Sequence, residues 1–499
     1  MELVSLQQWE TAAGEYERLP YVRRVGGVRL PERWEPLLAG TGAVLLESAR
    51  GGRYTYFIPR PKPLAWPELS RPAGTGPGVL AALRAFLKKH RAPRWPGLPP
   101  FTGGLVGALS YDLAREIENL PARAEDDLGL PPAVLSVADE VLVFDRETGT
   151  AYAVVVAESP VVDSASGHLR ERFEVARERC AALVKDFQTA CEERASERAA
   201  ALPSAVSETA GGDSSGPPVA APAPAMRTLS LDRAAYTAAV RRVQAYIGAG
   251  DTYQVNLSLR ETRPLTAHPA AVYDALRRIN PSPYMAYVPA GEWTLVCGSP
   301  ELLVKSVNGC VEARPIAGTR PRGACGDSDA ALRGELLAHP KERAEHLMLV
   351  DLIRNDLGRV CRYGSVRVRD YMVAEGYSHV QHIVSHVVGE LAPERDEVDV
   401  VASAFPGGTI TGAPKVRTMQ IIEELEPVRR GFYTGSVGWF GYNGDFELNI
   451  VIRTLLAGRG QAHVQAGAGV VADSVPEREF EESLNKARAL WAALEEATC

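Results

Sequence analysis

Short apolar runs bounded by Gly, Pro or Asp fill the first part of this chain and read as β-strands. They are Gly-Ala-Val-Leu-Leu-Glu-Ser at 42–48, Arg-Tyr-Thr-Tyr-Phe-Ile at 53–58, Ala-Asp-Glu-Val-Leu-Val-Phe-Asp at 138–145 and Ala-Tyr-Ala-Val-Val-Val-Ala at 151–157. A helix is predicted among them near 78–90. From His168 to Glu193 charged residues alternate with Leu, Phe, Val and Ala at helical spacing, which predicts an amphipathic helix. The pattern then stops. Residues 193–226 are rich in Ala, Ser, Pro and Gly with almost no large apolar side chains, so this stretch cannot bury a core and reads as a flexible linker. The division expected is an N-terminal domain 1–190, a linker 191–228 and a second domain 229–499. Beyond the linker, strand-like runs such as Trp-Thr-Leu-Val-Cys-Gly (293–298) and Ala-His-Val-Gln-Ala-Gly (462–467) alternate with helix-like ones at 329–355 and 476–497. This mixture predicts an α+β protein with large sheets.

Composition narrows the class of function. The chain has 499 residues, 45% of them hydrophobic and 23% charged, as in ordinary globular proteins. Its net charge of -7 argues against a general nucleic-acid binder, which needs basic surface to neutralise phosphates. Seven scattered cysteines lack paired metal-site spacing and suit a reduced cytoplasmic setting. The N-terminus has no basic start with a long apolar core, and no run reaches membrane length, so neither export nor a membrane is expected.

Candidate chemistry is concentrated after the linker. Phe-Pro-Gly-Gly-Thr-Ile-Thr-Gly-Ala-Pro-Lys-Val-Arg at 405–417 reads as a loop built to meet an anion. Gly407, Gly408 and Gly412 would let the backbone approach, Thr409 and Thr411 offer hydroxyls, and the following helix presents its N-terminal amides. A plain Gly-rich turn before a helix has the same composition. Glu342 and Glu345 are three residues apart, as are Glu479 and Glu482, so each pair projects from one helix face. Two such pairs could hold a hard cation such as Mg²⁺, although either pair alone reads more readily as a solvated helix face. Arg453 falls in the apolar run Asn-Ile-Val-Ile-Arg-Thr, predicted as a strand, where a buried charge requires an anionic partner. That partner is either a ligand or a structural carboxylate. His379 and His382 lie in a second apolar strand, where a structural role is the default.

These segments occur in order with Ser-Pro-Glu (299–301), Arg-Pro-Ile-Ala-Gly-Thr-Arg-Pro-Arg-Gly (314–323), Arg-Asn-Asp-Leu-Gly-Arg (354–359), Gln-Ala-Gly-Ala-Gly-Val-Val-Ala-Asp-Ser (465–474) and Glu-Phe-Glu-Glu-Ser-Leu-Asn-Lys-Ala (479–487). Together, over about Asp232 to Leu494, they resemble the chorismate-utilising enzymes, which include anthranilate, aminodeoxychorismate, isochorismate and salicylate synthases. The resemblance implies two mainly antiparallel sheets in a sandwich with helices outside, the N-terminal half packed on the catalytic half. It implies Mg²⁺ on Glu345 and Glu482, with Glu342 and Glu479 acting through water. It further implies substrate contacts from Tyr433, Arg453, Lys486, Gly318, Gly467 and Gly469. Glu301 matches the acid that protonates the departing C4 hydroxyl of chorismate, His382 an active-site histidine, and Thr319 and Thr409 hydroxyls of the pocket.

Two positions bear on the reaction. Water-using members place a Lys where this chain has Gln254, which cannot deprotonate water, so ammonia is the expected nucleophile. Some aminodeoxychorismate synthases place a nucleophilic Lys where this chain has Ala317, and anthranilate synthases have Ala there. Other stretches, among them Tyr-Gln-Val-Asn-Leu-Ser (253–258), resemble Gram-positive aminodeoxychorismate synthases, and that reaction is favoured over anthranilate formation. Glu47, Ser48, Pro283, Tyr284 and Met285 resemble the tryptophan pocket of the family, with Glu47 and Ser48 on the ammonium and Tyr284 and Met285 on the side chain. No cysteine has the setting of a glutaminase nucleophile, so a separate glutamine amidotransferase subunit is expected to supply ammonia. A non-catalytic amino-acid sensor is disfavoured because both acidic pairs, Glu301, Arg453 and Lys486 are all present.

Overall fold

The computed structural model describes residues 1–66, 78–159, 166–201, 227–322, 326–376 and 380–498. His379 and Cys325 lie outside them, as does 202–226 of the expected linker. Helix Ser166–Ala201 continues past residue 190 into the segment assigned to that linker.

Two antiparallel sheets form the framework. Among the described residues the larger has twelve strands. Arg18–Val25, Thr150–Glu158, Glu140–Asp145, Tyr54–Ile58 and Val44–Glu47 lie side by side, followed by Tyr284–Ala290, Trp293–Ser299, Thr454–Gly458, Gln461–Val470, Gln254–Pro264 and Gly412–Ala413. Thr228–Leu229 pairs with Gln254–Pro264. The smaller sheet has ten strands among the described residues, running from Ile316–Pro321 through Val380–Glu390, Cys310–Ala313, Leu302–Val307, Phe446–Asn449, Ser436–Gly441, Gly104–Leu109 and Ala133–Ala138 to Lys62–Pro63. Arg367–Gly376 pairs with Val380–Glu390.

Each sheet therefore takes strands from both halves of the chain. They are joined in register by Met285↔Glu47 in the larger sheet and Gly438↔Gly107 in the smaller. Alternation along Gly104–Leu109 explains the layering: Val106 and Ala108 enter the core shared with the larger sheet, whereas Leu105 and Leu109 face the helices outside. Helices Val79–Lys89, Pro340–Gly358 and Glu397–Ala404 cover that outer face. Helices Ser166–Ala201, Pro269–Ile279 and Pro476–Thr498 contribute to the core of the larger sheet. Among the described residues no helix is long and apolar enough to cross a membrane.

The helical run predicted over 329–355 is two helices, Gly326–Ala338 and Pro340–Gly358. Pro340 causes the break. It lacks the N–H that a continuous helix would need and suits the first position of a new one, where His339 caps the amide of Glu342.

Because the sheets run unbroken through both halves, neither half can complete its core alone. Residues 1–201 and 227–499 expressed separately should each lack a cooperative unfolding transition by calorimetry. Co-expression should restore one.

Candidate active site

The chain passes between the sheets twice at one place. Trp293–Ser299 belongs to the larger sheet and Leu302–Val307 to the smaller, so residues 300–301 are a crossing. Phe446–Asn449 and Thr454–Gly458 are joined by a second crossing at 450–453. The crossings are bonded together: Ile450 N donates to Glu301 O at 3.0 Å and Ser299 Oγ to Ile450 O at 2.6 Å. Glu301 sits on the first and Arg453 on the second. The strand expected at Arg453 is thus interrupted there. Arg453 has φ +50°, a left-handed conformation that turns the chain from one sheet into the other.

Beside these crossings lies a cavity of about 540 Å³. Six elements besides the crossings complete its wall. Gln254 and Asn256 come from Gln254–Pro264, and Gly467 and Gly469 from the adjacent strand. Ala317, Gly318 and His382 come from the edge of the smaller sheet, and Glu342 and Glu345 from Pro340–Gly358. Glu479, Glu482 and Lys486 come from Pro476–Thr498. Tyr433 and Thr409 also line it. Every residue expected at the substrate, metal or catalytic positions lines this one cavity, except Thr319, whose side chain lies outside the described residues.

The electrostatics separate the carboxyl groups. Glu301 is 7% exposed, and burial pushes its pKa up to about 7 against the opposing pull of the Thr409 hydroxyl and the Lys486 ammonium. It can therefore carry a proton near neutrality. Arg453 is the converse: burial lowers its pKa, and among the described residues no carboxylate lies within ion-pair distance. Its guanidinium donates to Lys486 O at 3.2 Å. Lys486 Nζ lies 2.8 Å from Glu482 Oε1 and donates to Gly467 O at 2.8 Å.

His382 Nδ1 is 2.9 Å from Gly318 O, an obligate acceptor, so the proton sits on Nδ1. Burial holds its pKa below the ordinary value. Gln254 Nε2 donates to Glu345 Oε1 at 2.9 Å. A Cβ on Gly469 would lie 2.5 Å from Gln254 Nε2, and one on Gly467 2.7 Å from Asn256 Oδ1. The glycines in that strand thus make room for two amide side chains lying across them.

Of the two readings of the loop at 405–417, the plain turn fits its packing better. Its glycines are explained by packing: a Cβ on Gly408 would sit 2.1 Å from Leu352 Cδ2, and one on Gly412 2.0 Å from Gln254 O. Thr411 Oγ1 donates back to Gly407 O at 2.9 Å, Lys415 pairs with Asp356 at 2.7 Å and Arg417 with Asp251 at 3.2 Å. Only Thr409 and Ile410 of this run reach the cavity. Asn256 and Gln465 were missed by the sequence reading. Asn256 was accessible to it, since it follows Gln254 by two residues on one strand and shares its face.

A second cavity of about 620 Å³ lies between the sheets, lined in part by Glu47, Ser48, Pro283, Tyr284 and Met285. The Glu47 carboxylate is already engaged. Its two oxygens accept from Tyr273 Oη at 2.7 Å and Arg277 Nε at 2.9 Å, on the side where helix Pro269–Ile279 packs. Its cross-strand partner Met285 shares that face. Two further acidic residues line the cavity, Glu312 and Glu447, and burial raises the pKa of Glu447.

Comparison with known proteins agrees with this geometry. Residues 51–492 match the model of a family described as chorismate binding enzyme. The chain is 46% identical over 462 residues to aminodeoxychorismate synthase component 1 of Bacillus subtilis, covering 91% of each chain. It is also 46% identical over 417 residues to anthranilate synthase component 1 of Thermus thermophilus, covering 83% of each. Anthranilate synthase component I from Streptococcus pneumoniae superposes with TM-score 0.71 at 29% identity, over 94% of this chain and 98% of that one. The shared sheets, the cavity at their crossings and the match across both halves lead to one conclusion: this chain belongs to the chorismate binding enzyme family and is a chorismate-utilising enzyme.

Proposed function

We propose that the protein aminates chorismate with ammonia to give 4-amino-4-deoxychorismate, the ammonia coming from a separate glutamine amidotransferase subunit. The observation that carries this reading is the pairing of a buried carboxyl able to hold a proton, Glu301, with a part-buried cation, Arg453, that has no carboxylate within ion-pair distance among the described residues. A substrate carboxylate supplies the missing anion, and Lys486 offers a second cation beside it. Glu301 donates its proton to the departing hydroxyl. Gln254 stands where a water-activating base would be needed, and ammonia requires none.

The donor set of the cavity fits Mg²⁺. Glu342, Glu345, Glu479 and Glu482 are hard oxygen ligands, and with Glu301 neutral they outnumber the lining cations Arg453 and Lys486 by two charges. A dianionic substrate would be repelled by that surplus. Among the described residues no three acidic, His or Cys side chains converge into a ready-made metal site. One or two carboxylates with water and substrate oxygens would complete the shell, Glu345 and Glu482 serving as the direct ligands. When bound, the ion would anchor a substrate carboxylate and neutralise the cavity.

A second reading, anthranilate formation with release of pyruvate, is favoured by Ala317. It lines the cavity at the position where an attacking amine would stand, and the Thermus relative is as similar as the Bacillus one. Purified protein incubated with chorismate, Mg²⁺ and ammonium salt should yield a non-fluorescent product that retains the enolpyruvyl group. Fluorescent anthranilate with pyruvate would instead establish the second reading.

Two further outcomes are expected. Glu301→Gln should lower kcat by about 10²–10⁴-fold. Because Glu301 must be protonated, the wild-type rate per free ammonia should be level below about pH 7 and fall as pH rises through its pKa of about 7. We also assign tryptophan to the second cavity, with Glu447 as its ammonium partner. Calorimetry should show tryptophan binding that Glu447→Gln weakens by about tenfold or more and Glu47→Gln does not. Silence at millimolar tryptophan would end that assignment.

A further inference from the structure

Glu342 does not stand free in its cavity. Its Oε1 accepts from Arg320 Nη1 at 3.2 Å, and a Cβ on Gly318 would lie 2.8 Å from its other oxygen. Arg320 reaches in from strand Ile316–Pro321, and its Nε donates to Glu335 Oε1 at 3.0 Å on helix Gly326–Ala338. The inner carboxylate is 19% exposed, like Arg320 itself, and the outer one 57%. Two other cavity carboxylates are also drawn to protein donors, Glu345 to Gln254 and Glu482 to Lys486. This explains why no three of the described ligating side chains converge.

We propose that Arg320 is a two-position cation that competes with a divalent metal ion for Glu342. A metal ion entering the cavity takes Glu342 from the guanidinium, and Arg320 retains Glu335 as its anion. The exchange therefore never leaves a charged group without a partner, the condition that would otherwise make it costly. Arg320 acts through Glu342, as a positioning residue. The inference rests on the magnesium reading of the cavity.

The test is metal binding without substrate, followed by loss of the free-Mn²⁺ electron paramagnetic resonance signal, Mn²⁺ standing in for Mg²⁺ at oxygen ligands. Removing the competitor with Arg320→Gln should tighten binding about fivefold, the scale of one partly screened ion pair. Removing the outer partner with Glu335→Gln should weaken it about threefold, since Arg320 then loses the anion that draws it away from Glu342. A purely structural Arg320 would give the opposite sign in the first variant, because Glu342 would lose its support. Weaker or unchanged binding by Arg320→Gln, with wild-type binding intact, overturns the inference alone. Absence of Mn²⁺ binding by all three proteins removes the magnesium reading and the inference with it.

Discussion

The bonded pair of crossings at 300–301 and 450–453 is the constraint on which the rest of the molecule depends. A strand that leaves one sheet for another must interrupt its ladder, and the interrupted amides and carbonyls need partners. Here each crossing supplies the other's, through Ile450 N to Glu301 O and Ser299 Oγ to Ile450 O. Two residues gain unusual positions from this. Glu301 is held in a buried turn where ionisation is costly, and Arg453 in a left-handed turn with its cation directed to a cavity. The acid and the cation are thus by-products of solving a backbone problem, which fixes their separation more firmly than a surface loop could.

A second rigid feature supports the first. The Glu426–Arg430 pair is almost wholly buried at 2.7 Å, and its atoms bind Ser258, Asn256 O, Ile410 O and Thr434. Asn256 and Ile410 line the cavity, and Tyr433 lies against the Arg430 cation. A buried ion pair with every donor engaged is costly to form but resists rearrangement, since removing either partner strands the other. The cavity wall is held by charge as well as by apolar packing.

Much of this was legible in the sequence, for identifiable reasons. Glu342 with Glu345 and Glu479 with Glu482 were visible because helix spacing converts directly into a shared face. The strands at 53–58, 138–145 and 151–157 were visible because they are apolar and short. What escaped was set by tertiary contact. Nothing local to 405–417 reveals that Gly408 clears Leu352 or that Gly412 clears the carbonyl of Gln254, so a packing loop resembled an anion site. Nothing local to Glu47 reveals that Tyr273 and Arg277 claim its carboxylate from the opposite face. Glu447 was hidden for the same reason, since its neighbours Lys305 and Glu312 belong to strands more than a hundred residues earlier. Pro340 was the exception: a local signal that should have divided the helix over 329–355.

The continuity of both sheets through both halves bears on how the chain is born. Strand Val44–Glu47 meets Tyr284–Ala290, and Gly104–Leu109 meets Ser436–Gly441, so partners emerge from the ribosome hundreds of residues apart. At roughly 5–20 residues per second, the early strands wait for tens of seconds with apolar edges unpaired. Contacts of such long range also slow folding after release. The nascent first half is therefore exposed to aggregation by virtue of its topology, and the burden of producing this enzyme falls on the interval before its last strands arrive.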